Sequence, residues 1–240
     1  MSRPFISVIT PTYNRRKFFT ATIDCYLAQT WPHDRREWIV LEDGHESVED
    51  LVADAKRQHP ALNVRYIRLP VKATIGAKRN RLNQEAKGDI IVAWDDDDYY
   101  SPERLSHIAH VFQAKPRIQL AGNSSMYTYF QDDKSIWMTL PIHQNHCTNG
   151  TLAYRRAYAL SHKYDETVTH AEEPSFLDNY ANEMIQLDPR KSILVIAHNE
   201  NTYSKESLRT PGPHVKSTTL KLKDFIRSST QRAAYELPTV

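Results

Sequence analysis

The chain has 240 residues, 40% of them hydrophobic and 25% charged, with a formal net charge of +2. That balance belongs to an ordinary globular chain with a sizeable core. It excludes the strongly basic footprint of a nucleic-acid binder, and no apolar run approaches the ~20 residues that cross a bilayer. Two cysteines, Cys25 and Cys147, cannot build a disulfide framework. With no longer apolar stretch near Met1, they predict a cytoplasmic chain, peripheral to a membrane at most.

Residues 5–10 are apolar and β-branched and predict a strand ended by Pro11. Asn14 stands where it would cap a helix over about residues 15–28, with Phe19, Ile23 and Leu27 on one face. Residues 38–41 form a second apolar run that enters Glu42-Asp43-Gly44, followed by a polar-faced helix over 48–59 and a third strand over 63–69. A basic helix over 75–86 is closed by Lys87-Gly88 in the manner of a C-terminal glycine. Residues 90–94 are again a buried strand, and Pro102 opens a helix reaching about residue 114.

Strand and helix alternating at short spacing predict a mainly parallel sheet flanked by helices, with ligands outside the carboxyl ends of the strands. Those ends carry Pro11-Thr12-Tyr13-Asn14, Glu42-Asp43-Gly44 and Asp95-Asp96-Asp97-Asp98, which are expected to meet on one edge. After about residue 115 the rhythm changes. Residues 120–130 and 135–140 read as an antiparallel pair around Asp132-Asp133-Lys134, and 151–160, 172–182 and 192–197 as mixed helix and strand. Pro211-Gly212-Pro213 reads as a linker. Leu222, Phe225, Ile226, Ser229 and Ala233 then fall on one stripe of a terminal helix, expected to dock on the body or on another subunit.

Four carboxylates at the end of a buried strand repel one another and resist desolvation unless a cation neutralises them. Hard divalent ions take such oxygens, completed by substrate phosphates. The competing reading is a solvated acidic turn ahead of the Pro102 helix. A calcium EF-hand is excluded, because the sixth position from Asp95 is Tyr100 and the twelfth is Ser106. Neither Gly-x-Gly-x-x-Gly nor a P-loop is present, so a nucleotide bound here is held through metal and side chains.

Four stretches, Ile6-Ser-Val-Ile-Thr-Pro-Thr-Tyr-Asn-Arg15, Val40-Leu-Glu-Asp-Gly44, Gly76-Ala-Lys-Arg-Asn80 and Ala93-Trp-Asp-Asp-Asp-Asp-Tyr-Tyr-Ser-Pro102, resemble in order and spacing the family 2 glycosyltransferases of the GT-A fold. The resemblance covers about residues 4–115 and thins afterwards. It implies an α/β, GT-A-like single globular domain with a mixed, mainly parallel central sheet. Residues 1–115 form its nucleotide-sugar-binding half, 116–210 its acceptor-binding half, and 211–240 a linker and C-terminal helix. It also implies inverting transfer of a sugar from a nucleotide donor, usually a UDP-sugar, to an acceptor hydroxyl with Mn²⁺ or Mg²⁺. The acceptor is expected to be a glycan, a lipid-linked intermediate or a protein, and the oligomeric state is open.

By the same resemblance Pro11, Thr12, Tyr13 and Asn14 lie along the base and ribose, Asp43 contacts the base, and Arg79 lies near the base and diphosphate. Asp95 is turned toward the ribose, with Asp96 beside it on the donor side, and Asp97 toward the metal, with Asp98 as an additional acid there. Taken alone, Asp43-Gly44 is a common turn pair and Arg79 a solvated charge; the family register gives both a ligand role. The family carries a Glu-Asp pair at a helix start, whose Asp is usually the base. Here Glu172-Glu173 stands at that place, so Glu173 is the expected base and Glu172 the second choice, with Asp165 and Glu166 more distant. The competing reading is a pair of acids favoured by the helix dipole. His198, after a strand, stands where members place a metal-binding histidine, or is structural. His143-Gln-Asn-His146-Cys147 has a zinc-like spacing, but it offers three ligands where a structural site takes four; it reads as a loop near the acceptor.

Two rivals differ in class. A sugar-phosphate nucleotidyltransferase usually opens with a glycine-rich triphosphate loop, and Pro11-Thr12-Tyr13-Asn14 has no glycine. A non-catalytic sugar-nucleotide or glycan-binding module would not require Asp95, Asp97 and Arg79 to be intact.

Overall fold

The computed structural model describes residues 3–236. Its centre is a run of parallel strands: β1 (Ile6–Thr12) pairs with β2 (Arg36–Glu42) and β4 (Ile90–Ala93), and β2 pairs with β3 (Val64–Arg68). Successive side chains in a strand point to opposite faces. Ile6, Val8, Trp38, Val40, Ile90 and Val92 therefore join one apolar cluster, while Ile9, Ile39, Leu41, Ile91 and Ala93 join another. Burial on both faces explains why these strands are unbroken apolar runs. Helices α1 (Arg16–Leu27), α2 (Glu49–Gln58) and α3 (Ile75–Glu85) make the crossovers, and α4 (Arg104–Ala114) follows the aspartate run.

The remaining strands are β5 (Tyr99–Tyr100), β6 (Leu120–Gly122), β7 (Tyr127–Phe130), β8 (Ile136–Thr139), β9 (Ala153–Arg155), β10 (Met184–Gln186), β11 (Ile193–Ala197) and β12 (Val215–Ser217). The larger sheet has seven strands in the order β10-β6-β9-β4-β1-β2-β3, and β9 runs antiparallel to both neighbours. A second, five-stranded sheet has the order β12-β8-β7-β11-β5. Its β7–β8 hairpin is the antiparallel pair expected around Asp132-Asp133-Lys134. The helices in this half are α5 (Arg156–Ser161), α6 (Glu173–Phe176) and α7 (Ser229–Glu236). Among the described residues no helix is long and apolar enough to cross a membrane.

Several local expectations are overturned. Residues 120–130 are not one strand but two, in different sheets. The chain turns where Asn123 and Ser124 are buried and must find partners: Asn123 Nδ2 donates to Leu187 O (2.6 Å) and Ser124 N to Gln186 Oε1 (2.9 Å). Asn14 does not cap α1, whose N-cap is Arg15 without a side-chain bond. Gly88 is not a left-handed helix terminator, since no glycine has positive φ among the described residues. It is glycine because a Cβ there would stand 2.5 Å from Ser7 N of β1.

The Pro211-Gly212-Pro213 segment is a tight turn, bridged between Gly212 and Val215, that delivers β12 to β8. Beyond it Leu222 and Ile226 are buried ahead of α7, whereas Ser229 and Ala233 are exposed, so the expected helical stripe is broken by an irregular turn. The tail docks on the body: Tyr235 Oη lies 3.2 Å from Cys25 Sγ of α1, and its ring meets Tyr99 edge-on at 5.8 Å. Residues 1–2 and 237–240, which the expected terminal segments include, lie outside the described residues.

Candidate active site

The carboxyl ends of β1, β2 and β4 meet on one edge. Pro11 and Thr12 close β1 in register with Leu41 and Glu42 of β2. Asn14, at φ 52°, takes the left-handed conformation that asparagine tolerates. Its Oδ1 accepts from His45 N (2.6 Å) and Glu46 N (3.2 Å), tying the β1 loop to the β2 loop. Asp43 is buried and accepts from Lys78 Nζ (2.8 Å) and Ala73 N (2.8 Å). The Tyr13 ring beside it carries Lys72 Nζ over its face, 4.1 Å from the centroid. Lys78→Met strips the buried Asp43 of its counter-charge. It is expected to cost about 3 kcal/mol of stability, read by urea denaturation.

Lys78 belongs to a set that sequence reasoning named only through Arg79. On α3 Lys78, Arg79, Asn80 and Asn83 are all buried. Asn80 binds Tyr164 through both its N–H and its carbonyl (2.9 Å each), so a loop of the second half is clamped onto α3. Arg79 donates from Nε to Glu172 Oε1 (2.7 Å) and from Nη2 to Asp95 Oδ1 (3.4 Å), while Nη1 is buried without a partner. The signal available beforehand was Gly-Ala-Lys-Arg-Asn itself, polar residues placed in the first turns of a helix that seals a sheet.

The four aspartates separate by environment. Burial raises Asp95 above the ordinary carboxylate range, with Arg79 opposing. Burial also raises Asp96, helped by the neighbouring Asp97, and leaves Asp96 Oδ2 without a partner. Asp98, expected among the metal ligands, accepts through Oδ1 from Ile196 N of β11 (2.8 Å), and burial raises it well above the usual range. Burial pushes Asp97 the same way, but the His198 bond and Arg15 overcome it and hold Asp97 below. Of the four, Asp97 alone is held below the ordinary carboxylate range, by His198 and Arg15.

His198 Nε2 lies 3.2 Å from Asp97 Oδ2 and 3.0 Å from Asn201 Nδ2, and Nδ1 lies 3.2 Å from Glu200 N. Arg15 Nη2 is 4.0 Å from Asp97. A cleft of about 330 Å³ opens beside His198, lined by Phe130, Asn199, Asn201 and Lys205. Among the described residues no three His, Cys, Asp or Glu side chains converge as a metal cluster.

Glu172 and Glu173 stand at the start of α6, after Ala171 at φ 53°. Glu172 is buried against Arg79, whereas Glu173 Oε1 accepts only from Asn149 N (2.8 Å). Burial, then Glu172, raises Glu173 above the ordinary glutamate range. Asp165 is exposed and bonds Thr167, and Glu166 bonds Asn80; neither shares this arrangement.

The turn Asn149–Thr151 connects the two halves. A Cβ on Gly150 would stand 2.6 Å from Asp95 Oδ2, so the backbone lies directly against that carboxylate. Gly150 O accepts from the wholly buried Arg104 (2.9 Å), which also donates to Ala93 O and lies 4.3 Å from the Tyr100 ring. Tyr100 Oη accepts from Asp95 N (2.7 Å). Sequence reasoning did not single out Arg104, since an arginine early in a helix reads as a surface charge.

A mainly parallel sheet with an acidic strand end, covered by a second half that brings a carboxylate to the same edge, is the arrangement of a GT-A glycosyltransferase. The sequence profile of Glycosyl transferase family 2 matches residues 7–170, and the chain belongs to that family. WcaA of Escherichia coli (strain K12), provisionally named a colanic acid biosynthesis glycosyl transferase, is 30% identical over 159 residues, 65% of this chain and 54% of that protein. The solved structure of Staphylococcus aureus TarS 1-349 in complex with UDP superposes with a TM-score of 0.64 at 22% identity, covering 81% of this chain and 61% of that one. The mannosyltransferase PcManGT from Pyrobaculum calidifontis, in complex with GDP-Man and Mn²⁺, gives 0.66 at 16% identity, covering 84% and 59%. These two likenesses show the fold. The chain spans about half the length of WcaA and 18% of full-length TarS.

Proposed function

We propose that the chain transfers a sugar from a nucleoside diphosphate donor, a UDP-sugar, to an acceptor hydroxyl with inversion, and that Glu173 is the base. The observation that carries this reading is the Asn149–Thr151 turn, which lies against Asp95 on the donor side and donates to Glu173 on the other. UDP is the nucleotide in the TarS complex, and on this reading the Pro11–Asn14 and Asp43 loops would receive it. Residues 1–115 then serve the donor and 116–210 the acceptor, which is a glycan, a lipid-linked intermediate or a protein.

The donor set at Asp97 and His198, one carboxylate oxygen and one imidazole nitrogen 3.2 Å apart, fits Mn²⁺ or Mg²⁺ completed by substrate phosphates. Bound there, the ion supplies Lewis-acid charge to the leaving diphosphate. Asp98 acts one step back, holding β11 and hence His198 against the aspartate run. Glu173, held at Oε1 by Asn149 N, takes the acceptor hydroxyl proton as the oxygen attacks the anomeric carbon. The bond from that carbon to the diphosphate oxygen breaks, and its electron pair leaves with the nucleoside diphosphate. Glu172 is unsuited to the same task because its charge is committed to Arg79. Arg79 retains its buried, unpartnered Nη1 for an oxygen of the donor.

Calorimetric titration of UDP, with and without Mn²⁺ and beside other nucleoside diphosphates, tests the donor half. Saturable, Mn²⁺-dependent binding that prefers UDP is expected. No binding of any nucleoside diphosphate in either condition overturns the reading.

A further inference from the structure

The chemistry above leaves one cluster unused. His143, His146 and Tyr180 pack together, with ring centroids 5.6 Å apart for His143–His146, 5.6 Å for His143–Tyr180 and 5.1 Å for His146–Tyr180. The zinc-like spacing of His143, His146 and Cys147 gathers no metal group here. The loop is pinned from below instead. Ser124 Oγ lies 3.1 Å from His146 Nδ1 and accepts from Ile142 N (2.8 Å), and Gln186 Nε2 donates to Gln144 O (2.8 Å) and His146 O (3.0 Å). Tyr180 is presented by three consecutive left-handed residues, Asp178, Asn179 and Tyr180, at φ 48°, 52° and 61°. His143 is exposed and the other two rings are partly so.

The cluster adjoins the base. Three residues beyond His146, the Asn149 N–H holds Glu173, and Tyr180 follows on the turn that leaves α6. Burial raises the Tyr180 hydroxyl, with the Glu173 charge next in effect. Among the described residues no Lys or Arg bonds to or stacks on the three rings; the loop and its rings are bonded by Ser124, Gln186 and Asn145 N. Burial, then His143, lowers His146 below the ordinary imidazole range.

We propose that His143, His146 and Tyr180 form the acceptor subsite, and that the accepting unit is an uncharged pyranose whose C–H face stacks on these rings. This rests on the transfer reading above. Flat, amphipathic aromatic rings match the apolar face of a sugar ring while their polar atoms meet its hydroxyls. A phosphorylated acceptor would call for the guanidinium or ammonium groups that the cluster lacks.

The test is saturation-transfer NMR on the UDP- and Mn²⁺-loaded protein, with methyl pyranosides, a neutral oligosaccharide and ribitol phosphate as probes. Tyr180→Asn removes the ring while keeping a residue that tolerates positive φ, and Tyr180→Phe keeps the ring. Saturation of pyranoside C–H protons is expected in the native protein and in Tyr180→Phe, and its loss in Tyr180→Asn. The acceptor KM of Tyr180→Asn should rise about tenfold with UDP affinity unchanged. Preferential, salt-sensitive binding of ribitol phosphate overturns the proposal, as does no pyranoside binding, or pyranoside binding that survives Tyr180→Asn. Failure of the native protein to bind UDP is a separate result that overturns the transfer reading instead.

Discussion

Replacing Glu173 by glutamine is expected to lower kcat by about 10²–10⁴-fold while leaving UDP affinity unchanged. The amide keeps an oxygen to accept from Asn149 N, so the α6 start and the turn against Asp95 stay in place. What disappears is the carboxylate proposed to take the acceptor proton. Because burial and Glu172 hold the Glu173 carboxyl above the ordinary glutamate range, its basic form is lost as pH falls through a value higher than that of a free glutamate. kcat/KM of the native enzyme should therefore decline on the acid side with that raised value, and Glu173→Gln should lose the limb. Glu172→Gln should behave differently. It weakens the pair with the buried Arg79, so it lowers stability and donor affinity together. Steady-state release of UDP, with calorimetry for affinity, separates the two. A fully active Glu173→Gln beside a dead Glu172→Gln would move the base one residue back.

Asp97→Ala is expected to abolish the Mn²⁺ dependence of UDP binding and to lower turnover by about 10²–10³-fold. Asp97 is the one aspartate of the run held below the ordinary range despite its burial, with His198 and Arg15 as its neighbours. Removing it takes away the carboxylate proposed to share a cation with His198. Asp98→Asn is the control: its side-chain oxygen still accepts from Ile196 N, so manganese dependence should persist. Undiminished manganese dependence in Asp97→Ala would remove Asp97 from the site.

Much of the first half was legible in the sequence because its signals are local. A strand buried on both faces must be a short apolar run, and the run must stop where the chain turns, so β1, β2 and β4 and their polar ends at Pro11, Asp43 and Asp95 could be read in order. Parallel neighbours then oblige those ends to meet on one edge, whatever the loops do. The second half gave weaker signals. Its strands are three to five residues long and split between two sheets, and the choice of partner depends on residues far away along the chain. That is why residues 120–130 read as one strand, and why the tail, with its broken stripe, was not seen to begin with a strand of the second sheet.

The sequence by itself determined the sheet, its ligand-facing edge and the acids and bases available there, because periodicity and turn residues act over a few positions. Only the tertiary structure decided what each of them does. Glu172 and Arg79 are 93 residues apart, and their pairing is what leaves Glu173 as the uncommitted carboxylate. Asp97 and His198 are 101 apart, and their contact helps to hold Asp97 below the ordinary carboxylate range. Asn14 and Gly88, read as helix punctuation, owe their identities to neighbouring loops and strands that the chain reaches only on folding. Charge state and close approach depend on what surrounds a group in space, and that is settled by long-range packing.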